Sequence, residues 1–185
     1  MMMHPMDWIL VAMVTVCGIT DIFFNKIYNP VTFSGAIAGF IVALMGHGAN
    51  TLGGLPVDWA ESLTGFLVAF LPFFALFMIN AMGGGDLKLM CAIGVIKGVS
   101  FVAYTMLYAL GFGAVIGIIV TGVRGELLPV LRRVGYTILH TLTPTVGPIS
   151  HVTTRGPKVN FGLATCLAAL LCLIGQLLGR QILDF

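Results

Sequence analysis

Long apolar runs alternate with short polar breaks along most of the chain. The run 62–82, for example, contains no acidic or basic residue. A helix needs about 20 apolar residues to cross the hydrocarbon core of a bilayer. On this criterion the pattern predicts an all-α polytopic transmembrane bundle with six spans. The predicted spans are 8–24, 31–45, 62–82, 87–99, 101–123 and 161–178.

The fourth predicted span is the shortest and allows two interpretations. Leu87 to Ile96 is only ten residues, about 15 Å of helix, so the segment either re-enters the membrane or crosses it beyond Lys97. If it crosses, seven of the nine Lys and Arg residues lie on one side, with Lys97 and Arg180 on the other. Because basic residues collect in cytoplasmic loops, we predict that all six segments cross, with the N-terminus outside. Lys97 is then expected to extend to the outer interface.

The composition agrees with this class of protein. The chain of 185 residues is 58% hydrophobic and 9% charged, with a mean hydropathy of +1.05, whereas soluble domains are about 25% charged. We predict a single membrane-embedded domain over residues 1–185, in contact with the lipid bilayer. The net charge of +2 is too small to indicate nucleic-acid binding.

The segment 124–158 is the only long polar stretch in the sequence. Within it, Leu131, Val134, Ile138 and Leu142 recur at helical spacing. This pattern predicts an amphipathic helix lying on the inner surface of the membrane. The Thr-, Pro- and Gly-containing residues that follow predict a loop.

The cysteines and histidines do not indicate a metal site. All four cysteines fall inside apolar runs and form no C-x-x-C pair, and the four histidines show no ligand spacing. We therefore expect neither a metal nor another cofactor, and we interpret the cysteines as small buried hydrophobic residues.

Two aspartates are expected at the same level of the membrane. Asp21 lies near the inner end of the first span, and Asp86 lies at the start of the fourth. Two crossings separate them, so both fall on the same side. Apolar neighbours solvate a carboxylate poorly, and two carboxylates brought together cannot both ionise easily. A pair that shares one proton can activate water and protonate a leaving amine, as in aspartic proteases.

These residues also have other interpretations. Asp86 could cap the helix that follows the glycines, and Asp21 could be an interfacial acid paired with Lys26. The two acids could instead form a proton relay in a small transporter, or belong to a structural subunit of a secretion machine. The glycine-rich stretch 83–85 does not match a Walker A loop, which requires G-x-x-x-x-G-K-[ST].

Three motifs resemble those of the type IV prepilin peptidases. GGGDLK, residues 83–88, matches their G-x-G-D-hydrophobic-K motif. DIFFNKIYN, residues 21–29, is similar to a second signature consisting of Asp, five residues and Ile-Pro-Asn, with Tyr28 in place of the proline. VNFGLA, residues 159–164, is similar to the Pro-Tyr-Gly that opens the last helix of that family, with Asn160 and Phe161 in place of Pro-Tyr.

The resemblance implies a function and a set of site residues. Asp21 and Asp86 would be the catalytic pair of a membrane aspartic endopeptidase of the GxGD type. Its substrate and partner would be a pilin-like precursor, cut at the cytoplasmic face of the plasma membrane to remove a basic leader peptide. Further residues of the same motifs would shape the site, namely Gly83, Gly85, Lys88, Lys26 and Asn29.

The resemblance is to the short branch of that family, which has the peptidase alone. This branch is found in tight-adherence (Flp) pilus systems and among archaeal preflagellin peptidases. Larger members carry an N-terminal domain with paired C-x-x-C motifs, which methylates the new N-terminus. Because no C-x-x-C pair occurs here, we expect no such domain and cleavage without methylation.

Overall fold

The computed structural model describes residues 4–24, 26–45, 56–78, 82–123, 125 and 161–178. The elements formed in these ranges are all α-helices. Three of the helices are long and apolar enough to cross a membrane, and two are shorter apolar helices. The three long helices are α1 (Pro5–Phe24), α3 (Trp59–Met78) and α4 (Gly84–Val123), and the shorter ones are α2 (Asn29–Leu44) and α5 (Phe161–Leu177).

The helix boundaries follow local sequence signals. α2 begins at Asn29 with Pro30 in its first turn, where the missing N–H costs nothing and the fixed φ suits a helix. α3 is Trp59–Met78, so it begins three residues before the predicted range 62–82; residues 79–81 of that range lie outside the described residues, and Met82 lies outside the helix. The amphipathic helix predicted within 124–158 lies outside the described residues.

Helix α4 is broken once, at Gly98. A straight helix of its 40 residues would be about 60 Å long, twice the thickness of the hydrocarbon core. Gly98 has φ 76° and ψ −174°, a region that is essentially restricted to glycine. We call residues 84–97 the first arm and residues 99–123 the second arm. The two arms correspond to the predicted fourth and fifth spans, which therefore meet at a single residue.

The break at Gly98 is held by a side chain of α3. Glu61 Oε1 accepts the backbone N–H of Val99 at 3.0 Å, which satisfies one of the orphan amides at the start of the second arm. A Cβ at Gly98 would lie 2.7 Å from Glu61 Cγ. The positive φ and the close approach of Glu61 both require glycine at this position.

The chain divides into two compact units. The first comprises Met1–Gly113 and Asn160–Phe185, and the second comprises Ala114–Val159. In the second unit the structure describes residues 114–123, which belong to the second arm of α4, and Gly125. The remaining description concerns the first unit, in which α1 packs against α2 and α5, and α2 packs against α3.

The chain direction alternates between two ends of the first unit. We call them the Asp7 end and the Asp21 end, after the acidic residues in the first and last turns of α1. The first arm of α4 starts at the Asp21 end, where Asp86 interacts electrostatically with Asp21. It finishes at the Asp7 end, where Lys97 contacts Asp7. The first arm is therefore antiparallel to α1.

Helix α3 runs in the same direction as α1. Its Glu61 meets Gly98 at the Asp7 end, and its Phe77 packs against Gly84 at the Asp21 end. In the middle, Gly65 and Gly94 bring α3 and the first arm into backbone contact, because a Cβ on either glycine would collide with the carbonyl oxygen of the other. Small residues that allow such close approach are typical of helix pairs in membranes.

The second arm of α4 and helix α5 complete the alternation. Gly113 of the second arm lies against Phe161 at the start of α5. The neighbouring Leu163 contacts Asp21, so this start lies at the Asp21 end. Within the first unit, residues 99–113 of the second arm therefore run from the Asp7 end to the Asp21 end, and α5 runs back.

The position of Lys97 differs from the sequence-based expectation. Its side chain is fully buried, and Nζ donates a hydrogen bond to Asp7 Oδ1 at 2.7 Å. The ammonium also lies 5.2 Å from the centre of the Phe101 ring. The prediction that Lys97 extends to the outer interface is therefore wrong. A buried charge is tolerated when it is paired, and the partner comes from a helix 90 positions away in the sequence.

Candidate active site

Asp21 is buried between α1 and α5. It lies in the last turn of α1, and only 6% of it is exposed. Oδ2 accepts the backbone N–H of Leu163 at 2.8 Å. The apolar residues that follow Asp21 face outward, so the carboxylate is shielded by the packing of α5 and not by these neighbours. The outward-facing residues are Ile22, Phe23 and Phe24.

Asp86 lies in the first turn of α4 and is half-buried. Its carboxylate accepts a hydrogen bond from the backbone N–H of Gly83. Gly83 immediately precedes the helix, so this contact is the one that an acidic residue at the third helical position makes in a capping box. Asp86 is therefore not the N-cap residue of the capping interpretation, because α4 begins two residues earlier, at Gly84, but its carboxylate still caps the start of the helix through Gly83.

The fold brings Asp21 and Asp86 close enough to interact electrostatically. The Cys166 thiol of α5 interacts with both carboxylates, so the three side chains occupy one neighbourhood at the Asp21 end. Two acids in a poorly solvated environment tend to hold one proton between them. Among the described residues, no group of three or more His, Cys, Asp or Glu side chains could hold a metal ion.

Ile27 lies between the starts of two helices at this site. A Cβ at Gly85 would be 3.2 Å from Ile27 Cβ, and a Cβ at Gly162 would be 2.8 Å from Ile27 Cδ1. Ile27, from the segment between α1 and α2, therefore sets the distance between the first turns of α4 and α5. The first of these turns carries Asp86, and the second contacts Asp21. Glycine at both helix starts allows this close packing.

The two motifs that contain the aspartates are joined a second time, through Lys88 and Asn29. Lys88 Nζ donates a hydrogen bond to Asn29 Oδ1 at 3.0 Å and lies 5.8 Å from the centre of the Phe33 ring. These contacts tie the first turns of α4 to the first turns of α2. Lys26 lies on the exposed stretch between α1 and α2.

Sequence analysis did not identify the α5 residues of this site. Gly162, Leu163 and Cys166 approach Asp21. Gly162 and Leu163 carry no functional side chain, and Cys166 was interpreted from the sequence as a small buried hydrophobic residue. The one available signal was the similarity of residues 159–164 to a family motif, which pointed to the segment without assigning a role to any residue in it.

The fold and the site define an apolar helical membrane protein with two interacting carboxylates at one end of its helices. The model of the type IV leader peptidase family matches residues 8–118, more than half of the chain, and the chain belongs to this family. Membership implies a protease. The match includes Asp21 and Asp86, whereas α5 lies beyond it. Neither the search of curated proteins nor the search of solved structures found a match.

Proposed function

We propose that this protein is a membrane aspartic endopeptidase that removes the basic leader peptide from type IV pilin-like precursors at the cytoplasmic face. The observation that supports this most directly is the electrostatic interaction between Asp21 and Asp86, which come from different motifs and different helices. Membership of the type IV leader peptidase family supports leader-peptide cleavage as the reaction.

In the proposed reaction the two carboxylates share one proton. The ionised member takes a proton from a water molecule, and the resulting hydroxide attacks the carbonyl carbon of the scissile peptide bond. The protonated member first donates a hydrogen bond to the carbonyl oxygen. A carboxyl of the pair then transfers a proton to the leaving amine. The products are the leader peptide with a new carboxyl group and the shortened precursor with a new N-terminus.

The membrane orientation is part of the same proposal. We propose that the six helical segments, counting the two arms of α4 separately, all cross the membrane with the Asp21 end on the cytoplasmic side. The alternation of their direction supports this arrangement. So does the charge distribution, because Lys26 and Lys88 belong to the Asp21 end, and basic residues favour the cytoplasmic side.

A cleavage assay tests the proposal. The purified chain, in proteoliposomes, is incubated with a pilin-like precursor that carries a basic leader, and the size and N-terminal sequence of the product are determined. Asp21→Asn and Asp86→Asn should each lower kcat by roughly 10³-fold, because each removes the general acid–base function of one carboxyl. The double variant should be no slower than either single variant, since the pair acts as a unit.

Glu126→Gln is the control for these substitutions. It makes the same kind of change in an acid of the 124–158 segment, which we expect to be remote from the reaction, and its kcat should remain close to that of the wild type. A folded Asn variant that cleaves at nearly the wild-type rate would refute the aspartic mechanism and restore the capping role as sufficient for Asp86.

Two further measurements on the same proteoliposomes test the transporter alternative and methylation. A proton relay in a transporter would give proton flux in proteoliposomes without any precursor, and that flux would be lost in the Asn variants.

We also propose that this chain cleaves without methylating, because its four cysteines form no C-x-x-C pair. Mass spectrometry of the product N-terminus in the presence of a methyl donor tests this: an added methyl group would contradict it.

A further inference from the structure

Asp21 occupies an unfavourable position in its own helix. It lies in the last turn of α1, where the helix macrodipole places partial negative charge and unsatisfied carbonyl groups. A carboxylate there is repelled by the end of its own helix. Asp86, by contrast, lies in the first turn of α4, where the macrodipole and the free N–H groups stabilise an anion.

The start of α5 offsets the unfavourable interaction between the Asp21 carboxylate and the C-terminal end of α1. Leu163 is the third residue of α5, so its N–H is one of the donors for which the helix itself offers no acceptor. This N–H is directed at Asp21 Oδ2 at 2.8 Å. A backbone N–H group can donate a hydrogen bond but cannot accept one. It therefore fixes Oδ2 as an acceptor and favours the ionised form of the Asp21 carboxyl.

Gly162 makes this contact sterically possible. A Cβ at Gly162 would lie 2.8 Å from Asp21 Oδ2 and 3.0 Å from Asp21 Cγ. In proteins, a Cβ atom essentially never lies closer than 3.0 Å to a non-bonded heavy atom. Any side chain at position 162 would therefore displace the carboxylate of Asp21. The carboxylate of Asp21 occupies the space that a side chain on residue 162 would otherwise fill.

We propose that the start of α5, Gly162 together with the backbone N–H of Leu163, is the positioning element of Asp21. It orients the carboxylate toward the reaction and stabilises its negative charge against the dipole of α1. This inference rests on the proposed function, and it assigns to the chain beyond residue 118, where the family match ends, a direct part in the activity.

Two substitutions test the positioning element in the full chain. Gly162→Ala should displace the carboxylate of Asp21, and a displacement of about 1 Å costs on the order of 100-fold in rate. Leu163→Pro removes the N–H donor and puts the ring Cδ in the place of its hydrogen, against Asp21 Oδ2, so it both breaks the hydrogen bond and displaces the carboxylate; proline is tolerated in the first turn of a helix. Leu163→Ala keeps the donor and is the reference for the lost side chain; kcat of the proline variant should fall at least tenfold below that of the alanine variant.

The kinetic constants distinguish positioning from general damage. Misplacing a catalytic carboxylate lowers kcat and leaves KM nearly unchanged, whereas a distorted substrate site raises KM. Gly18→Ala is the matched control, because Gly18 lies at the same α1–α5 interface and its added Cβ would meet Cys166 at an ordinary 3.5 Å. We expect Gly18→Ala to keep the wild-type kcat.

Ile27 provides a second discriminating test. The added methyl of Gly162→Ala would also meet Ile27 Cδ1 at 2.8 Å, and Ile27→Val removes that atom. If the contact with Asp21 is the cause of the loss, Gly162→Ala combined with Ile27→Val should stay as slow as Gly162→Ala alone. Recovery of kcat in the double variant, measured against Ile27→Val alone, would assign the loss to packing and overturn the proposal.

The outcomes also separate this inference from the proposed function. If the wild type cleaves the precursor and Asp21→Asn does not, the proposed function stands. In that case a folded Gly162→Ala variant with wild-type kcat would overturn only the positioning role of α5. If Gly162→Ala fails to fold, the comparison of Leu163→Pro with Leu163→Ala decides the question, and equal kcat values would reject the proposal.

Discussion

Lys97 and Asp7 form a buried ion pair at 2.7 Å, at the opposite end of the first unit from Asp21 and Asp86. The same two helical segments supply both pairs. Asp7 and Asp21 are separated by about 21 Å along α1, and Asp86 and Lys97 by about 17 Å along the first arm. The ion pair therefore fixes how far the first arm is shifted along α1, and with it the level at which Asp86 meets Asp21.

Breaking this ion pair on one side should destabilise the protein strongly. Lys97→Met leaves the Asp7 carboxylate buried without its cation, and removing one partner of a buried pair costs about 3–5 kcal/mol. We expect a loss of that size in the free energy of unfolding, measured by reversible denaturation in detergent micelles.

Replacing both partners should recover most of that loss. Asp7→Leu combined with Lys97→Met puts apolar side chains in place of the pair, which is often neutral or even stabilising. Asp7 Oδ2 also accepts a hydrogen bond from the backbone N–H of His4 at 2.8 Å, which caps the start of α1. Because the double variant loses this cap, its free energy of unfolding should remain about 1 kcal/mol below that of the wild type. A double variant as unstable as Lys97→Met would argue against this account.

The contact between Gly65 and Gly94 should not tolerate a methyl group. In Gly94→Ala the new Cβ would overlap the Gly65 carbonyl oxygen, so α3 and the first arm must move apart, at a cost of about 1–3 kcal/mol for overpacking. Gly111→Ala in the second arm is the control, because nothing lies within 4 Å of its added Cβ. Thermal unfolding in detergent should give a lower Tm for Gly94→Ala than for Gly111→Ala, and equal values would contradict the close approach.

The Lys88–Asn29 hydrogen bond should support activity without being essential. Lys88→Ala loosens the tie between α4 and α2 two residues after Asp86. The loss should be about 1 kcal/mol, roughly fivefold in kcat/KM. Asn29→Ala should cost about the same, and the double variant little more than either, because both changes remove one interaction. Additive losses in this cycle would show that the two residues act independently.

Reporter fusions test the proposed orientation. A reporter fused after Arg133 should be cytoplasmic, and one fused near Thr51 should be external. Both positions lie outside the described residues, and the expectation comes from the distribution of basic residues. A cytoplasmic reporter near Thr51 would reject the proposed orientation, and with it the placement of both aspartates at the cytoplasmic face.

The helices were largely predictable from the sequence because their signals are local. Residues 161–178 were predicted as one helix from their apolar composition, and α5 covers Phe161–Leu177. The predicted span 31–45 matches α2, Asn29–Leu44, to within two residues, and Pro30 favours a helix start through its own backbone alone. The boundary predicted between the spans 87–99 and 101–123 lies within two residues of the break in α4 at Gly98.

The contacts between helices were not predictable in this way. Asp21 meets Leu163 across 142 positions, and Lys97 meets Asp7 across 90. Nothing local to Lys97 shows that an acid will reach it, so a solvated position was the natural expectation and it was wrong. The donor to Asp21 is a backbone N–H, a group that every residue except proline has, so side-chain chemistry could not reveal it.

The break at Gly98 has a consequence for how the chain enters a membrane. If both arms of α4 cross, their connection is a single residue, and no hydrophilic loop has to be translocated. The amide of Val99 is already bonded to Glu61 of α3, and Lys97, the charged residue that α4 contributes to this turn, is neutralised by Asp7. The two arms can then insert together as a hairpin, and the main polar group that must be carried across is Lys97, whose counter-ion Asp7 lies in α1 at the end of the bundle that the lysine reaches.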